Sequence, residues 1–206
     1  MKSIAICFLC IDLLPGLAGC ARQQTGGEAD GGPCMVEPDY TAEGELRRPR
    51  GYEAWTFAGG PVGLDYSDKK PEEGPGVFHT VYLQPEAYRH YARTGKFPEK
   101  TMFVLELREP SGREVIVKQG YFAGKLVGVA AAVKDHRRFP EGWAYFDFGE
   151  AGQEAKAMSP ARCHRCHLEH GGDDNVFVQF YPALRELKGT AAARSPDALP
   201  EAPHSK

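Results

Sequence analysis

Two thiols and an imidazole stand close together near the C-terminal end of the chain, in the pentapeptide Cys163-His164-Arg165-Cys166-His167. On a helix, positions 163, 166 and 167 are related as i, i+3 and i+4, so both sulfurs and the second imidazole share one face. The two thiols can then add to the two vinyl groups of a haem while His167 ligates its iron. The motif therefore predicts one covalently attached haem c per chain.

Two other chemistries use the same side chains. Cys163, Cys166, His167 and His170 are donors of the types that zinc prefers. The two cysteines can also form a redox-active or structural disulfide. CxxC alone is a weak signal, whereas CxxCH in an exported chain favours haem, so the interpretation depends on export.

The residues that flank the motif predict a short helix over about 160–170. Ser159 is a suitable N-cap, and Pro160 takes the first helical position, where a missing N–H has no cost. Gly171 and Gly172 can form a left-handed C-terminal cap. The predicted helix would turn the two thiols and the imidazole inward.

Residues 1–19 have the composition of a secretory signal, since Lys2 precedes an apolar run over 4–14 that is too short to span a bilayer. Residues 17–20, Leu-Ala-Gly-Cys, resemble a bacterial lipobox, which implies a lipid on Cys20 and removal of everything before it. A plain signal peptide is the alternative. Both place the protein outside the cytoplasm, and the first predicts a periplasmic or cell-surface lipoprotein anchored to a membrane.

Composition divides the rest of the chain into three parts. Residues 20–50 are Gly-rich and predict a flexible lipidated linker, in which Cys34 remains without an assigned role. Residues 51–188 have the size of one domain with one core, and residues 189–206 predict a disordered tail. A formal charge of −3 and the lack of a long basic stripe argue against nucleic acid as a partner.

The folded part is predicted to be α+β, mainly an antiparallel sheet with peripheral helices and a C-terminal CxxCH haem-binding helix. Short turn-rich connections between successive β-type segments favour antiparallel pairing. The predicted strands are 77–83, 101–108, 114–118, 121–134, 142–148 and 176–180, and the predicted helical segments are 52–57, 84–93 and a short stretch after Pro182.

The order of these segments resembles the cytochrome P-460 family, which includes the cytochromes c′-beta. The resemblance covers about residues 51–188. It rests on Trp55, Thr80-Val81-Tyr82, Pro85-Glu86-Ala87-Tyr88, Thr94-Gly95-Lys96-Phe97, Gly120-Tyr121-Phe122, Val133-Lys134-Asp135, Gly142-Trp143, the late CxxCH, Phe177, and Phe180-Tyr181-Pro182. It implies a five-stranded type of antiparallel fold, a homodimer and one c-type haem.

Three polar pocket positions depart from the hydroxylamine-oxidising members of that family. The resemblance places Leu105 where those members carry a lysine cross-linked to the haem, His79 where they carry an arginine, and Ala130 where they carry a carboxylate. Leucine has no amine and cannot form the cross-link. Hydroxylamine oxidation is therefore disfavoured, and the gas-binding cytochromes c′-beta are the closer analogue.

Strand periodicity extends this pocket, because side chains on one face recur at every second residue. If Leu105 faces the haem, Phe103 and Leu107 share that face, and Gly128 and Ala132 share the face of Ala130. The inferred pocket is apolar, although the same residues would also suit an ordinary core. Phe78 and Phe97 are candidate steric caps over it.

His79 is the polar exception in this pocket. An imidazole on an apolar strand face needs a hydrogen-bond partner or an iron atom. It can line the pocket, act as a sixth iron ligand, or be an ordinary satisfied histidine. As an acid–base group it would also serve a peroxidase, which is the enzymatic alternative.

The function that these residues favour is the binding of NO and CO at a five-coordinate haem. An apolar pocket disfavours O₂, whose binding needs a hydrogen bond. Electron transfer with a redox partner is the alternative from another class, but it usually requires a second axial ligand. No methionine follows His167, Met102 lies on the strand face opposite Leu105, and Met158 immediately precedes the predicted haem helix.

Overall fold

A computed structural model of the chain describes residues 35–64, 74–112, 116 and 118–193. The predicted signal peptide, the lipidation site Cys20, Cys34 and residues 194–206 lie outside this part. The strands are β1 (Leu46–Arg47), β2 (Thr56–Gly59), β3 (Phe78–Leu83), β4 (Met102–Ser111), β5 (Phe122–Lys134), β6 (Trp143–Gly149) and β7 (Glu154–Ala155). The helices are α1 (Pro85–Thr94), α2 (His164–His170) and α3 (Pro182–Ala193), and Tyr52–Ala54 and Val178–Phe180 form single 3₁₀ turns.

Five of the strands form one antiparallel sheet in the order β2-β3-β4-β5-β6, while β1 pairs with β7. Each strand of the large sheet is the neighbour of the next along the chain, and helix α1 lies in the connection between β3 and β4. The structure confirms the predicted α+β class with a mainly antiparallel sheet and peripheral helices. Within the described ranges, no helix is both long and apolar enough to cross a membrane.

The two faces of the sheet belong to different cores. Phe103 of β4 packs in a cluster with Val81, Trp143 and the helices α1 and α3, whereas Val104 packs in a second cluster with Leu46 of β1. This division follows from the period of two along a strand. The first face is the one that meets the CxxCH segment.

Helix α1 agrees with its sequence signals. It begins at Pro85, which has no N–H to leave unsatisfied, and ends at Gly95 with a left-handed φ of 68°. Its Ala87 and Tyr91 are fully buried. The helix predicted over 84–93 is confirmed.

Three segments differ from their predicted conformation. The helical segment predicted at 52–57 is a single 3₁₀ turn that leads into β2, which the sequence analysis missed. The strand predicted at 176–180 is wrong, since a tight turn and then a 3₁₀ turn precede Pro182 and leave no strand beside it. Of the strand predicted at 114–118, only Ile116 and Lys118 are described, and both lie in the connection between β4 and β5.

The ends of the helix that carries the CxxCH motif also differ from the prediction. The helix begins at His164 with Cys163 as N-cap, so the Ser159 cap is wrong. Gly171 is extended, with φ −63° and ψ 134°, and does not form a left-handed cap. The peptide N–H of Gly171 still bonds the carbonyl of His167, which ends the helix there.

The folded region is longer at both ends than the predicted 51–188. Residues 35–50 were assigned to the linker, but Leu46 is fully buried and pairs with Ala155. Helix α3 continues to Ala193, five residues past the predicted end. Leu46 was missed because the residues around it are mostly hydrophilic. Helix α3 extends further than predicted because the Ala-rich stretch at its end has a high helix propensity.

Candidate functional site

A cavity of about 300 Å³ lies where the first face of the sheet meets the CxxCH segment. Residues that line it from the sheet are His79, Val81, Phe103, Leu105, Leu107, Ala130, Ala131, Ala132, Trp143, Tyr145 and Phe146. Side chains that line it from the C-terminal part are Met158, Cys163, His167, Asn175, Val176, Phe177, Phe180 and Tyr181, and Pro61 and Leu64 complete it. The lining is mostly apolar.

His167 is held with a defined tautomer. Its Nδ1–H donates to the carbonyl of Asn175 at 2.9 Å, because that carbonyl can only accept. The Nε2 atom therefore carries the lone pair. Burial lowers the pKa of His167, which keeps the ring neutral at pH 7. The rings of Tyr145 and Phe177 pack against the imidazole, with centroids 4.3 and 4.4 Å away.

The two cysteines of the motif are free thiols and are partly buried. Cys163 lines the cavity, and burial raises the pKa of its thiol, which lies 3.6 Å from the sulfur of Met158. Cys166 lies on the same helix but is not among the residues that line the cavity. Across the described residues, no three metal-binding side chains come together as a zinc site would need.

The three positions singled out by the family resemblance come together in this cavity. Leu105 pairs directly with Val81 on one side and with Ala130 on the other, so their side chains share one face. His79 pairs with Leu107, two residues along the same face. Registered antiparallel pairing therefore builds one wall from three adjacent strands.

His79 has only one free ring nitrogen. Its Nδ1–H donates to the carbonyl of Val77 at 3.1 Å, which leaves Nε2 unprotonated. Burial lowers the pKa of His79, so the ring is neutral at pH 7. In this state Nε2 can accept a proton or donate a lone pair to a metal, but it has no hydrogen to offer to a ligand.

The predicted aromatic residues divide between the cavity and the core. Phe103 lines the cavity. Phe78 precedes His79 on β3, so its side chain points to the other face, and it does not line the cavity. Phe97 is buried and stacks on Tyr91 with ring centroids 4.2 Å apart, outside the cavity lining. Neither Phe78 nor Phe97 is placed as a cap.

The structure brings three further residues to the site, to which no chemistry was assigned from the sequence. Trp143 and Tyr145 occupy alternate positions of β6 and line the cavity from the same face. Their i, i+2 spacing in a predicted strand could have indicated that both face the cavity. Asn175 supplies the acceptor for His167 from a tight turn, and the Asp-Asn pair at 174–175 was the corresponding signal, since both residues tolerate positive φ.

The residues present fit a haem. Two free thiols and an imidazole with an unprotonated Nε2 occur on one helix, next to a cavity at the small end of the usual range for ligand sites, about 300–1,000 Å³. The hydroxyl of Tyr145 is buried at this cavity without a hydrogen-bond partner among the described residues. Buried polar atoms are normally paired, so an unpaired one at an apolar cavity is what a missing bound group would leave.

Comparison with known families agrees with this geometry. The family model described as cytochrome P460 matches residues 49–178, which include β2 to β7, the CxxCH helix and the wall formed by His79, Leu105 and Ala130. No curated protein matches the chain significantly. Since the match covers well over half of the chain and contains both sides of the cavity, the chain belongs to the cytochrome P460 family and is a haem protein.

Proposed function

We propose that the haem is a covalent haem c, one per chain. Cys163 and Cys166 would each add S–H across a vinyl group, and the unprotonated Nε2 of His167 would ligate the iron. The support is the coincidence of two free thiols and a fixed imidazole tautomer on one helix. Denaturation of the purified protein should leave haem bound to the polypeptide, and the Cys163→Ala/Cys166→Ala double variant should release it. Haem lost from the wild-type chain on denaturation would refute covalent attachment.

The function that the site supports best is the binding of NO and CO at a five-coordinate haem. Haem iron, when bound, supplies an open coordination position for a diatomic ligand. The other residues that line the cavity would then decide which ligands bind. The observation that carries the proposal is the wall of Val81, Leu105, Leu107 and Ala130, which has no hydrogen-bond donor, with His79 as its polar member.

His79 does not change this conclusion, because its ring proton is used by the carbonyl of Val77. Stabilisation of O₂ by a distal residue requires a donor, and an unprotonated Nε2 is an acceptor. NO and CO bind without such a donor. The hydroxyl of Tyr145 is a donor at the same cavity, but its ring packs against His167. On the wall itself, the tautomer of His79 favours NO and CO over O₂.

Visible absorption spectra of the ferric and the dithionite-reduced protein, with and without NO or CO, test the proposal. We expect a high-spin reduced spectrum that converts fully on addition of either gas. His79→Leu should change CO affinity by less than about twofold, because His79 donates no hydrogen bond to the ligand. If it did, loss of a bond worth about 0.5–1.5 kcal/mol would lower the affinity about 2- to 12-fold. A low-spin reduced spectrum that NO does not change would refute the proposal.

A low-spin spectrum that becomes high-spin in His79→Leu would instead identify His79 as a second axial ligand and the protein as an electron carrier. Met158 is less suited to that role, since its sulfur lies 3.6 Å from that of Cys163, the N-cap of the helix that carries His167. The two outcomes are therefore distinguished by one variant.

Peroxidase activity is the second candidate function, and the unprotonated Nε2 of His79 favours it. An unprotonated Nε2 in His79 can take the proton from a peroxide, a step that general bases typically accelerate about 10²- to 10⁴-fold. Among the described residues, however, no arginine lines the cavity to stabilise cleavage of the O–O bond. His79→Leu should abolish most peroxidase turnover, and turnover equal to that of the wild type would rule this function out.

We infer export and membrane anchoring from residues 1–20 and a homodimer from the family resemblance, while a redox partner belongs to the electron-transfer alternative. Cys20→Ser should release the haem protein from the membrane fraction into the periplasmic or external fraction. The purified wild-type protein should carry the mass of a diacylglyceryl group. Sedimentation of the haem-loaded protein at micromolar concentration measures whether it is a dimer.

A further inference from the structure

A tight turn holds the acceptor for His167. Asp173 and Val176 exchange two backbone hydrogen bonds, of 2.8 and 3.3 Å, around Asp174 and Asn175. Both central residues have positive φ, 45° and 59°. These angles are typical of a two-residue turn with two left-handed positions, which Asp and Asn tolerate better than other non-glycine residues.

The turn lies directly against the end of α2. The carbonyl of Asn175 accepts from the Nδ1–H of His167 at 2.9 Å. A Cβ at Gly171 would lie 2.5 Å from the carbonyl oxygen of His167 and 2.9 Å from the carbonyl carbon of Asn175. Only glycine therefore allows the turn to approach α2 this closely, and the position of Asn175 fixes the plane of the imidazole.

The sheet holds this turn through Asp174. The ammonium group of Lys134, at the end of β5, donates to Oδ2 of Asp174 at 2.6 Å and to the carbonyl of Phe97 at 2.8 Å. The indole N–H of Trp143, at the start of β6, donates to the other oxygen of Asp174 at 3.3 Å. Lys134 is 9% exposed and the side chain of Asp174 is 28% exposed, so the ammonium end of this ion pair is well shielded from water.

A second contact reaches the turn from α1. The hydroxyl of the fully buried Tyr91 donates to Oδ2 of Asp173 at 2.9 Å. Both carboxylates of the turn are therefore bonded to elements outside it. A turn that is only a connection would not need these buried partners.

We propose that Asp174, held by Lys134 and Trp143, is a positioning residue for His167. The proposal rests on the proposed role of His167 as the iron ligand. The ion pair fixes the turn, the turn fixes the carbonyl of Asn175, and that carbonyl sets both the orientation of the imidazole and the strength of its Nδ1–H bond. A strong bond makes the imidazole a more basic ligand, as outer partners of metal-bound histidines do.

The test is resonance Raman spectroscopy of the reduced haem-loaded protein, together with its reduction potential. Asp174→Asn keeps a residue suited to the turn and removes the carboxylate, and Lys134→Met removes the ammonium group. In each variant the iron–histidine stretching band should move to lower frequency and broaden, and the potential should rise. The double variant should shift the band no further than either single variant, because both changes act on one contact.

Lys100→Met is the matched control. The ammonium group of Lys100 forms an ion pair with Asp135, the residue after Lys134, and not with a carboxylate of the turn. We expect this variant to leave the band and the potential unchanged. An equal shift in Lys100→Met would mean a general effect on this end of the sheet and would overturn the proposal. Trp143→Phe, which keeps the charges, provides a second variant if Lys134→Met does not fold.

The iron–histidine stretching band also shows whether the positioning role of Asp174 or the proposed iron ligation by His167 has failed. A wild-type protein without an iron–histidine band would overturn both. A normal wild-type band that does not move in folded Asp174→Asn and Trp143→Phe would overturn only the positioning role. Unchanged far-ultraviolet circular dichroism identifies the variants that are folded.

Discussion

A buried carboxylate lies on the opposite face of the sheet from the cavity, between two residues of its wall. Glu106 lies on β4 between the cavity residues Leu105 and Leu107, with its side chain on the opposite face and only 4% exposed. Tyr52 donates to its Oε1 at 2.8 Å, and Arg108 donates from Nε to Oε2 at 3.0 Å. Such a charge is tolerated in the interior because it is paired and hydrogen-bonded.

We predict that Tyr52→Phe destabilises the protein by about 1.5–3 kcal/mol, the usual contribution of a hydrogen bond to a charged group. For a domain of this size, each kcal/mol lost from the free energy of unfolding lowers the melting temperature by about 2–4 °C. The melting temperature should therefore fall by about 3–12 °C. Burial and then the bond to Glu106 raise the pKa of Tyr52 to about 12, so the hydroxyl still donates throughout the neutral range.

Tyr40→Phe is the matched control for this prediction. The hydroxyl of Tyr40 is also buried, but it has no hydrogen-bond partner in the described part of the chain. Its removal should therefore be neutral or slightly stabilising. Thermal unfolding of both variants at pH 7, followed by far-ultraviolet circular dichroism, gives the comparison. Equal losses in the two variants would show that packing, and not the bond to Glu106, sets the effect.

Three further predictions concern stability. Burial alone would raise the pKa values of Glu106 and Asp135, but hydrogen bonds from Arg108 and Lys100 lower both. The stabilisation that the two ionised carboxylates provide is therefore complete above their unfolded-state pKa values, near pH 4. It is lost as the pH falls through their lower folded-state pKa values. Melting temperatures from pH 7 to pH 3 should show this decline, with a shallower slope in Glu106→Gln. Leu83→Ala should cost about 2–5 kcal/mol in denaturant unfolding, since Leu83 is fully buried. Asp39→Ala should cost less than about 1 kcal/mol in the same assay, because its ion pair is half exposed, and a larger loss would contradict this.

The wall of the cavity was predictable because strand geometry is regular. Once Leu105 was assigned to the inner face, the period of two placed Phe103 and Leu107 beside it, and all three line the cavity. The same period places Phe78 on the other face from His79. Phe78 was only a candidate cap, and this period places its side chain away from the cavity, whose lining does not include it.

The support of His167 was harder to predict because it depends on contacts between distant segments. The partners of Asp174 come from Lys134 and Trp143, 40 and 31 residues away along the chain. No local pattern connects them. The strand predicted at 176–180 failed for a related reason, since Val176, Phe177 and Val178 are apolar because they pack at the cavity and the adjacent core, and they pair with no neighbouring strand.

The two sides of the cavity therefore tolerate change differently. On the wall, Leu105 and its neighbours contribute side chains while their backbone hydrogen bonds maintain the sheet, so a substitution there can alter ligand chemistry and leave the fold intact. On the helix side, the imidazole depends on backbone atoms of a turn with two positive φ angles, and its position changes whenever that turn moves. The family resemblance implies differences at the wall positions 79, 105 and 130. Because these positions lie on the tolerant side, substitutions there can change the chemistry of the cavity while the turn and the helix that hold His167 stay unchanged.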